Sequence, residues 1–388
     1  MFLGREIRLF LVLLTVNEFC RRHQTIGIKK LGLEKTMQSN GNVTPNHNVH
    51  RFLFYVEQNY SFAILRPLQQ YAQSQGHEVR WLLVGKDISA DFLQPGERHL
   101  DNIEAAVAYQ PDAVFAPGDR IPSFIPGLKV QVFHGLNESK RGNLYPERGL
   151  FDLYCTEGHE RTGTLQPLSE QRGYFKVVET GWLKLDSLFN HTPPEGRAAN
   201  KPQIAFSSTF SPSLSCAELV YDQIKELSQQ GMYHWLVTLH PKMAAETVAK
   251  YKALESENLT FFDNSRVIEL LHRADVMVCD NSSIFQEFLL LGKPVVTVNN
   301  REVQPSFINI TQPEELAGAL ERALHPDAEL LEHIANYGPA ITPYLDGNSA
   351  PRVLAAVTEM LEQGWQDRKP KNIWRNFKMR KSLGYWKW

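Results

Sequence analysis

Short apolar runs alternate with helix-type segments along this chain, and this alternation limits the possible folds more than any other feature. The runs Arg51–Val56, Glu78–Val84 and Ala113–Phe115 are rich in β-branched and aromatic residues. Between the first two, the segment Ala63–Gln75 has the spacing of an amphipathic helix, and Gly76 ends it. Strands that alternate with helices form parallel sheets covered on both faces. The sequence therefore predicts an α/β fold with parallel sheets.

The pattern starts a second time after a segment rich in proline and polar residues, Asn190–Gln203. A chain of 388 residues is long enough for two domains, each with its own hydrophobic core. We expect five parts in all. They are an N-terminal extension (1–48), a first α/β domain (49–190), a linker (191–203), a second α/β domain (204–345) and a helical, basic and aromatic tail (346–388).

The composition excludes several classes of protein. With 43% hydrophobic and 22% charged residues, the chain has ordinary globular usage. Its net charge of −2 does not match nucleic-acid binding, which needs a basic surface. The four cysteines are far apart and include no CxxC pair, which indicates a reducing compartment and no zinc site. The sequence thus predicts an ordinary globular protein that binds neither zinc nor nucleic acid.

Residues 1–48 differ from the rest of the chain. The apolar run Leu9–Val16 is far shorter than the roughly 20 residues that a bilayer crossing needs. Its arginine-containing flanks have no small-residue cleavage site, so a signal peptide is the less favoured interpretation. We expect either a helix on a membrane surface or sequence upstream of a true start at Met37. The polar segment Gln38–Val49 then forms a disordered lead-in.

A buried strand predicted at Val276–Val278 turns directly into a helix through the polar run Asp280–Ser283. Backbone N–H groups at such a helix start, with the positive end of the dipole, bind anions such as a diphosphate. The same residues also fit a capping box of Ser283 and Gln286 that serves only the helix. Both interpretations stay open at this point.

Two further predicted strands end in histidine. Val130–Phe133 leads into His134 and Gly135, where glycine allows a ligand to approach the backbone. Trp235–Leu239 leads into His240, and a proline stops the strand there. Parallel α/β sheets bind ligands at the carboxyl ends of their strands. These strand ends therefore indicate a ligand site at the carboxyl edge of each sheet.

The second domain is predicted to open with the strand Gln203–Phe206, a hydroxyl-rich loop, Ser207–Ser211, and the helix Cys216–Gln229. Hydroxyl groups in such a loop can donate hydrogen bonds to phosphate or sugar, although serine-rich loops are more often plain turns. Further along, Pro313 and the acids after it predict the start of another helix.

Four short motifs follow one another along the chain. They are His134-Gly135 with Lys140, Gly181–Asp186, His240-Pro241, and Asp280–Ser283 with Glu287. In this order they resemble the CDP-glycerol glycerophosphotransferases of teichoic-acid-type polymer synthesis. The resemblance covers residues 50–345 and implies the GT-B architecture, in which two Rossmann-like domains face a central cleft. Lys184 departs from the family, which usually has arginine there, and lysine cannot grip a phosphate bidentately.

The resemblance implies a role for each motif, with acceptor binding in the first domain and donor binding in the second. His134 would be the general base for the acceptor hydroxyl, a step that suits a neutral imidazole. His240 would be a second catalytic residue and would help to hold the phosphates. The implied donor-site residues are Ser282, Ser283, Glu287, Lys184, Ser208 and Thr209, and the implied supporting residues are Gly135, Lys140, Asp186 and Asp280.

The expected partners are a CDP-activated donor and a glycan or lipid-linked acceptor. We expect no tightly bound cofactor and no metal motif, although a Mg²⁺ ion that accompanies a nucleotide leaves no motif because its ligands include several waters. Residues 365–388 combine eight Lys or Arg residues with six aromatics, which suits an anionic membrane surface or a polyanionic polymer. They also suit a closing segment that packs back on the first domain. The expected location is the cytoplasm, at the inner face of the membrane.

Two alternatives to glycerol-phosphate transfer remain. A GT-B enzyme that uses a UDP-sugar, either a glycosyltransferase or a 2-epimerase, shares the same two-domain cleft and phosphate site. A non-catalytic scaffold of a polysaccharide assembly complex is the second alternative. It has no chemical need for His134 and His240 at strand ends.

Overall fold

The structure is a computed structural model that describes residues 49–135, 147–191, 201–263 and 266–387. The predictions for residues 1–48, for Lys140 and for most of the linker lie outside these residues. The domain boundaries at 190, 203 and 345 stay predictions.

The first half of the described chain builds a parallel sheet of seven strands in the order β3-β2-β1-β4-β5-β6-β7. The strands are β1 (Arg51–Val56), β2 (Glu78–Leu83), β3 (His99–Leu100), β4 (Ala113–Ala116), β5 (Leu128–Gln131), β6 (Leu153–Thr156) and β7 (Lys176–Glu179). The helices of this half are α1 (Tyr60–Ser74), α2 (Ile103–Tyr109), α3 (His159–Arg172) and α4 (Leu183–Phe189), with a 3-10 turn at Ala90–Phe92.

The second half builds a parallel sheet of six strands in the order β10-β9-β8-β11-β12-β13. The strands are β8 (Gln203–Ser208), β9 (His234–Leu239), β10 (Leu259–Phe261), β11 (Val276–Cys279), β12 (Val295–Val298) and β13 (Ile308–Ile310). The helices are α5 (Tyr221–Gln230), α6 (Ala245–Lys252), α7 (Val267–Arg273), α8 (Ile284–Leu290), α9 (Leu316–Leu324), α10 (Ala328–Ile341), α11 (Ser349–Glu362) and α12 (Ile373–Leu383). The prediction of parallel α/β sheets is confirmed.

Each sheet reverses its winding at one point. The chain moves outward from β1 to β3 and then returns to place β4 on the other side of β1, and β8 and β11 repeat this arrangement in the second sheet. Above such a switch point the connections diverge to opposite faces and leave a crevice at the carboxyl ends of the two central strands. The topology therefore fixes one expected ligand position per sheet, beyond β1 and β4 and beyond β8 and β11.

Several predicted element ends are wrong. The strand predicted at Val130–Phe133 is β5, which ends at Gln131, because Phe133 takes a left-handed backbone conformation with φ of 54°. Ser207 and Ser208 belong to β8 and pair with β9 instead of opening a loop. The predicted helix at Cys216 begins five residues later at Tyr221, since the N–H of Cys216 is donated to Asp280.

The helix starts give one confirmation and one correction. Pro313 opens a helical turn in which Gln312 and Glu315 form a reciprocal capping box, as the proline and the acids predicted. The capping box predicted for Ser283 and Gln286 is absent, because the Ser283 side chain makes no cap hydrogen bond.

Helix α4 joins the two cores. Leu183 packs in the core of the first sheet, whereas Trp182, Leu185 and Leu188 pack in a core of the second sheet. Gly181 precedes this helix with φ of 83°, and a Cβ atom there would lie 2.7 Å from the Ser349 hydroxyl oxygen. Glycine is therefore needed at this turn for both its backbone freedom and its small size.

The C-terminal helices return to the first sheet. Val353, Leu354 and Val357 of α11 complete its core, and Tyr385 after α12 is buried in the same half. This agrees with the closing segment that the sequence allowed. Within the described residues, no helix combines the length and apolar composition that a membrane crossing requires.

Asp186 fastens α11 to α4. Its carboxylate accepts hydrogen bonds from the backbone N–H groups of Ser349 at 2.8 Å and Ala350 at 2.7 Å, and the side chain is buried. We expect Asp186→Ala to lower the free energy of unfolding by about 2 kcal/mol or more, because two buried N–H groups lose a charged acceptor. Urea unfolding followed by circular dichroism measures the change.

Asp327→Ala is the matched control. Asp327 also caps a helix, accepting from the Leu330 N–H at 2.8 Å, but it is exposed to water. Its loss should cost about 1 kcal/mol or less, since water can replace the carboxylate. Equal losses for the two variants would contradict the role given to Asp186.

Candidate functional site

The buried carboxylate of Asp280 holds the loops at the switch point of the second sheet. Val278 of β11 pairs with Phe206 of β8, so Asp280 lies level with the end of β8. One carboxylate oxygen accepts from the Ser208 hydroxyl at 2.5 Å and from the Cys216 N–H at 3.0 Å. The other accepts from the Ser282 N–H at 2.9 Å.

The Thr209 N–H lies 3.1 Å from both oxygens of Asp280. Asp280 is fully buried, so its charge depends on these donors in place of water. Three loops, at 208–209, 215–216 and 281–283, are therefore fixed by one anion. The supporting role expected of Asp280 agrees with this geometry.

Ser208 takes part in this support. The sequence predicts a phosphate contact for it, but its hydroxyl is buried, donates to Asp280 and lies 2.8 Å from the Ser215 hydroxyl. We therefore assign Ser208 to the bracing of the loops. Thr209 is half-buried and Ser283 is exposed, so both can reach a ligand without rearrangement.

A cavity of about 220 Å³ opens beside these loops. Asn281 shapes its rim, because its amide donates to the Asn299 carbonyl at 3.1 Å and its carbonyl oxygen accepts from the Arg301 N–H at 3.0 Å. The lining residues are Leu214, Asn281, Ser283, Phe285, Gln286, Asn300, Arg301 and Glu302. Sequence reasoning missed Arg301, the cation of this cavity. In the sequence, Arg301 could have been recognised by its position shortly after β12, the strand that pairs with β11.

His240 follows β9, which neighbours β8 on the side away from β11. Its Nδ1 accepts a hydrogen bond from the Lys242 N–H at 3.0 Å, so a neutral ring carries its proton on Nε2. Burial, and then the positive charge of Lys242, lower the pKa of His240. The side chain therefore offers a neutral N–H donor, which suits contact with a phosphate oxygen better than proton abstraction.

Lys184 and Glu287 contact each other. The Lys184 ammonium donates to the Glu287 carboxylate, which is nearly buried, and this ion pair links α4 to α8. The sequence predicts donor contacts for both residues. A ligand that reaches Glu287 must therefore share the carboxylate with Lys184 or displace it.

A second cavity, of about 210 Å³, lies at the switch point of the first sheet. It is lined by residues that follow β1 and β4, together with His134. The full set is Tyr55, Glu57, Gln58, Tyr60, Ser61, Ala116, Pro117, Gly118, Asp119, Arg120 and His134. We call this the first-sheet cavity.

His134 has the opposite tautomer to His240. Its Nδ1 lies 3.2 Å from the Pro117 carbonyl oxygen, which can only accept, so Nδ1 carries the proton and a neutral ring has its lone pair on Nε2. The ring lies against Tyr60, with 5.4 Å between centroids. A Cβ atom on the next residue, Gly135, would meet no atom of the described residues within 4 Å. Such a ring can act as a general base.

Charged side chains that sequence reasoning missed share this cavity. Glu57 accepts from the Tyr55 hydroxyl at 3.0 Å and lies 3.7 Å from Arg120, while Asp119 pairs with Arg148 at 2.9 Å. Burial raises the pKa of Tyr55, so its hydroxyl stays protonated as a donor. In the sequence, Glu57 and Asp119 could have been recognised because they follow two strands, as His134 does.

A larger cavity of about 760 Å³ lies among α1, α4, α7 and α11. Two of its charged side chains are committed to structural contacts, since Arg66 pairs with Glu97 at 2.8 Å and Asp186 caps α11. We therefore place the candidate site at the two switch points. Asp186 and Lys184 affect this site indirectly, because they hold in place the helices α11 and α8.

Comparisons with known proteins bear on the fold and on residues 215–358. The family model of UDP-N-acetylglucosamine 2-epimerase matches residues 215–358. That segment holds His240, Asp280, Ser283 and Glu287 but not the first-sheet cavity. A comparison with curated proteins found no match.

Solved structures resemble most of the chain. A Listeria monocytogenes protein described as a UDP-N-acetylglucosamine 2-epimerase has a TM-score of 0.59 and 16% identity, covering 82% of this chain and 98% of its own. The Neisseria meningitidis UDP-GlcNAc 2-epimerase bound to UDP-GlcNAc has a TM-score of 0.55 and 13% identity, covering 80% and 100%. The wall teichoic acid polymerase TagF has a TM-score of 0.55 and 15% identity, covering 82% and 90%.

The chain has the GT-B fold. Two parallel α/β sheets of this kind are common to all three structures, and the expected architecture is confirmed. The resemblance to glycerophosphotransferases is not confirmed at the level of the family, because the family model that matches is the epimerase model.

We expect Asp280→Asn to weaken at least tenfold the binding of a nucleotide, the class of ligand that suits a crevice at such a switch point. The asparagine amide would point a donor at groups that are themselves donors, so the three loops would separate. Isothermal titration with UDP measures the affinity. Asp275→Asn is the control, since Asp275 accepts from the Gln203 N–H at 2.9 Å, before the first residue of β11. Loss of affinity in the control alone would contradict the role given to Asp280.

The lowered pKa of His240 predicts a pH dependence of stability. Its folded-state pKa lies below the usual 6.5, so the unfolded chain binds more protons as the pH falls through that value. The free energy of unfolding should therefore fall below about pH 6.5. His234 and His272 act in the same direction, because burial lowers their pKa values too.

Unfolding by urea at pH 7.5 and pH 5.5 tests this dependence. His240→Asn should make the loss of stability between the two pH values smaller, because asparagine can accept the Lys242 N–H without titrating. His325→Asn, an exposed substitution, should leave the pH dependence unchanged. An identical pH dependence in the wild-type and His240→Asn proteins would refute the assignment.

Proposed function

We propose that this protein is an enzyme that binds a UDP-activated sugar of the N-acetylglucosamine type and inverts its configuration at C2. The observation that carries the proposal is the position of the epimerase-model match. It covers the segment that supplies the Asp280 carboxylate and the Ser282–Ser283 loop at the switch point of the second sheet, and His240 at the end of β9, which neighbours β8.

The nucleotide would bind in the second half. Ser283, Arg301 and the His240 Nε2–H provide donors of the kind that a diphosphate requires. Thr209, held in place through its backbone by Asp280, lies at the same edge. The structure of the Neisseria meningitidis enzyme bound to UDP-GlcNAc supports a uridine nucleotide as the first ligand to test.

The chemistry would take place beside the first-sheet cavity. Inversion at C2 removes a proton from one face of the sugar and returns a proton to the other, while the UDP group at C1 leaves and then adds back, so no atom is gained or lost overall. His134 Nε2 has the lone pair for the removal. Glu57 and Asp119 line the same cavity and are the candidate proton donors for the return.

A second candidate is transfer of glycerol phosphate from CDP-glycerol to a hydroxyl group. The similarity to TagF supports it, as does the position of His134 in the first-sheet cavity. Here His134 would take the proton of the acceptor hydroxyl, and CMP would leave. Both candidates use the same nucleotide half, and they differ in the fate of the donor.

Exchange of the C2 hydrogen distinguishes these reactions. In D₂O, we expect the protein to replace the C2 proton of UDP-N-acetylglucosamine with deuterium and to form the C2 epimer, both visible by proton NMR. His134→Asn should slow the exchange by roughly 10²–10⁴-fold, because asparagine keeps the donor to Pro117 but cannot accept the proton. UDP affinity should stay within about twofold, since His134 lies outside the nucleotide half.

His325→Asn again serves as the matched control and should exchange at the wild-type rate. No exchange with UDP-N-acetylglucosamine, together with binding of UDP, would overturn the C2 inversion but keep the nucleotide site. Selective binding of CDP-glycerol and CMP over the uridine ligands would favour the second candidate. No binding of either nucleotide would leave the scaffold alternative.

A further inference from the structure

The last helix carries an exposed apolar surface that the fold does not use. The exposed fractions are 72% for Ile373, 80% for Trp374, 47% for Phe377 and 45% for Trp386. The rings of Phe377 and Trp386 contact each other, with 5.5 Å between centroids. We call the surface formed by these four side chains, three on α12 and Trp386 just after it, the C-terminal surface. Clustered exposed aromatics of this kind mark an interaction site.

Positive charge surrounds the C-terminal surface. Residues 368–387 contain eight Lys or Arg residues and no Asp or Glu, although the whole chain has a net charge of −2. The exposed cations among them are Arg368, Lys371, Arg375, Lys378, Lys381 and Lys387. The partner of this surface is therefore expected to be anionic.

Helical spacing places the two kinds of side chain together. Ile373, Phe377 and Lys381 are four residues apart and share one face of α12, and Trp374 and Lys378 form the adjacent row. Met379, on the other side of the helix, is buried, so that side serves folding. Folding thus accounts for one face of α12 and leaves the aromatic and basic face unexplained.

The helix is held firmly on the first half of the protein. Lys369 pairs with the buried Asp152, and the Asn372 amide donates to the Arg148 carbonyl at 3.1 Å. The Ser123 hydroxyl donates to Asn376 at 2.6 Å. The C-terminal surface is therefore presented on a rigid platform and needs no folding step before it binds.

We propose that the C-terminal surface binds an anionic phospholipid bilayer. Aromatic rings of this type settle at the depth of the lipid headgroups, and lysines around them are attracted to the negative surface. A helix that exposes both along one face lies in the plane of the interface. A protein partner would bury the apolar side chains equally well, but six exposed cations match a uniformly anionic surface better.

Binding in this way would bring the first-sheet cavity close to the bilayer. Arg120, which lines that cavity, has its guanidinium 3.9 Å from the Met379 sulfur of α12. Arg148 pairs with Asp119 of the same cavity, and its carbonyl oxygen accepts from Arg375 at 2.8 Å.

Vesicle flotation with the full chain tests the proposal. We expect binding to vesicles with about one third phosphatidylglycerol in phosphatidylcholine, little binding to phosphatidylcholine alone, and release at high salt. Lys378→Glu with Lys381→Glu should weaken binding at least tenfold, because each cation near an anionic surface contributes about fivefold. Trp374→Ala with Phe377→Ala should also weaken it at least tenfold, through the loss of buried ring area.

The matched controls are Lys86→Glu with Lys225→Glu for charge and Leu331→Ala for exposed apolar area. These should bind vesicles as the wild type does. Quenching of tryptophan fluorescence by brominated lipid gives a second readout on the unaltered protein. Absence of vesicle binding, or equal losses in variants and controls, overturns the proposal. Binding to polyphosphate that needs the lysines but not Trp374 and Phe377, without vesicle binding, would identify a polyanion as the partner instead.

Discussion

The shape of the crevice at the switch point of the second sheet depends on one buried carboxylate. Asp280 emerges at the end of a central strand where burial is complete, and an ionised group there is stable only if donors replace its lost water. The donors available are the Ser208 hydroxyl and backbone N–H groups of three separate loops. Satisfying Asp280 therefore also fixes the loops around the ligand position. Without these donors the buried Asp280 carboxylate would destabilise the fold. With them, it holds the loops that shape the crevice above the sheet.

The two halves are joined by interactions that centre on α4. Its side chains pack in both cores, Lys184 pairs with Glu287 of the second half, and Asp186 caps the helix that returns to the first. A short helix with partners on every side has little freedom to shift. The residues of the second motif, Gly181–Asp186, thus act on the geometry between the halves. The phosphate contact that the resemblance implied for Lys184 stays a prediction, since a ligand must first compete for the same ion pair.

Much of the fold could be predicted from the sequence because strand periodicity is a local property. The strand Arg51–Val56 matches its predicted bounds. The errors arose where tertiary contacts override local preference. Helix α5 starts late because Cys216 serves Asp280, and β5 ends early because the chain turns at Phe133. Neither cause can be read from neighbouring residues.

Part of the candidate site could also be predicted, because the end of a strand is a local property of the sequence. Polar residues after strands could be recognised one by one, and His134, His240 and Asp280 were predicted as candidate site residues in this way. The partners that decide what each can do lie far away in sequence. The tautomer of His134 depends on Pro117, and the role of Ser208 depends on Asp280, which is 72 residues away. Glu57 and Asp119 were missed because strand order, which brings β1 beside β4, cannot be read from a single run of residues.

The most direct test of this interpretation is a crystal structure of the protein with UDP bound. The diphosphate should lie at the carboxyl ends of β8 and β11, against the 281–283 loop and within hydrogen-bond distance of His240 Nε2, with Asp280 still in contact with Ser208. A nucleotide found in the first-sheet cavity, or in the cavity among α1, α4, α7 and α11, would contradict it.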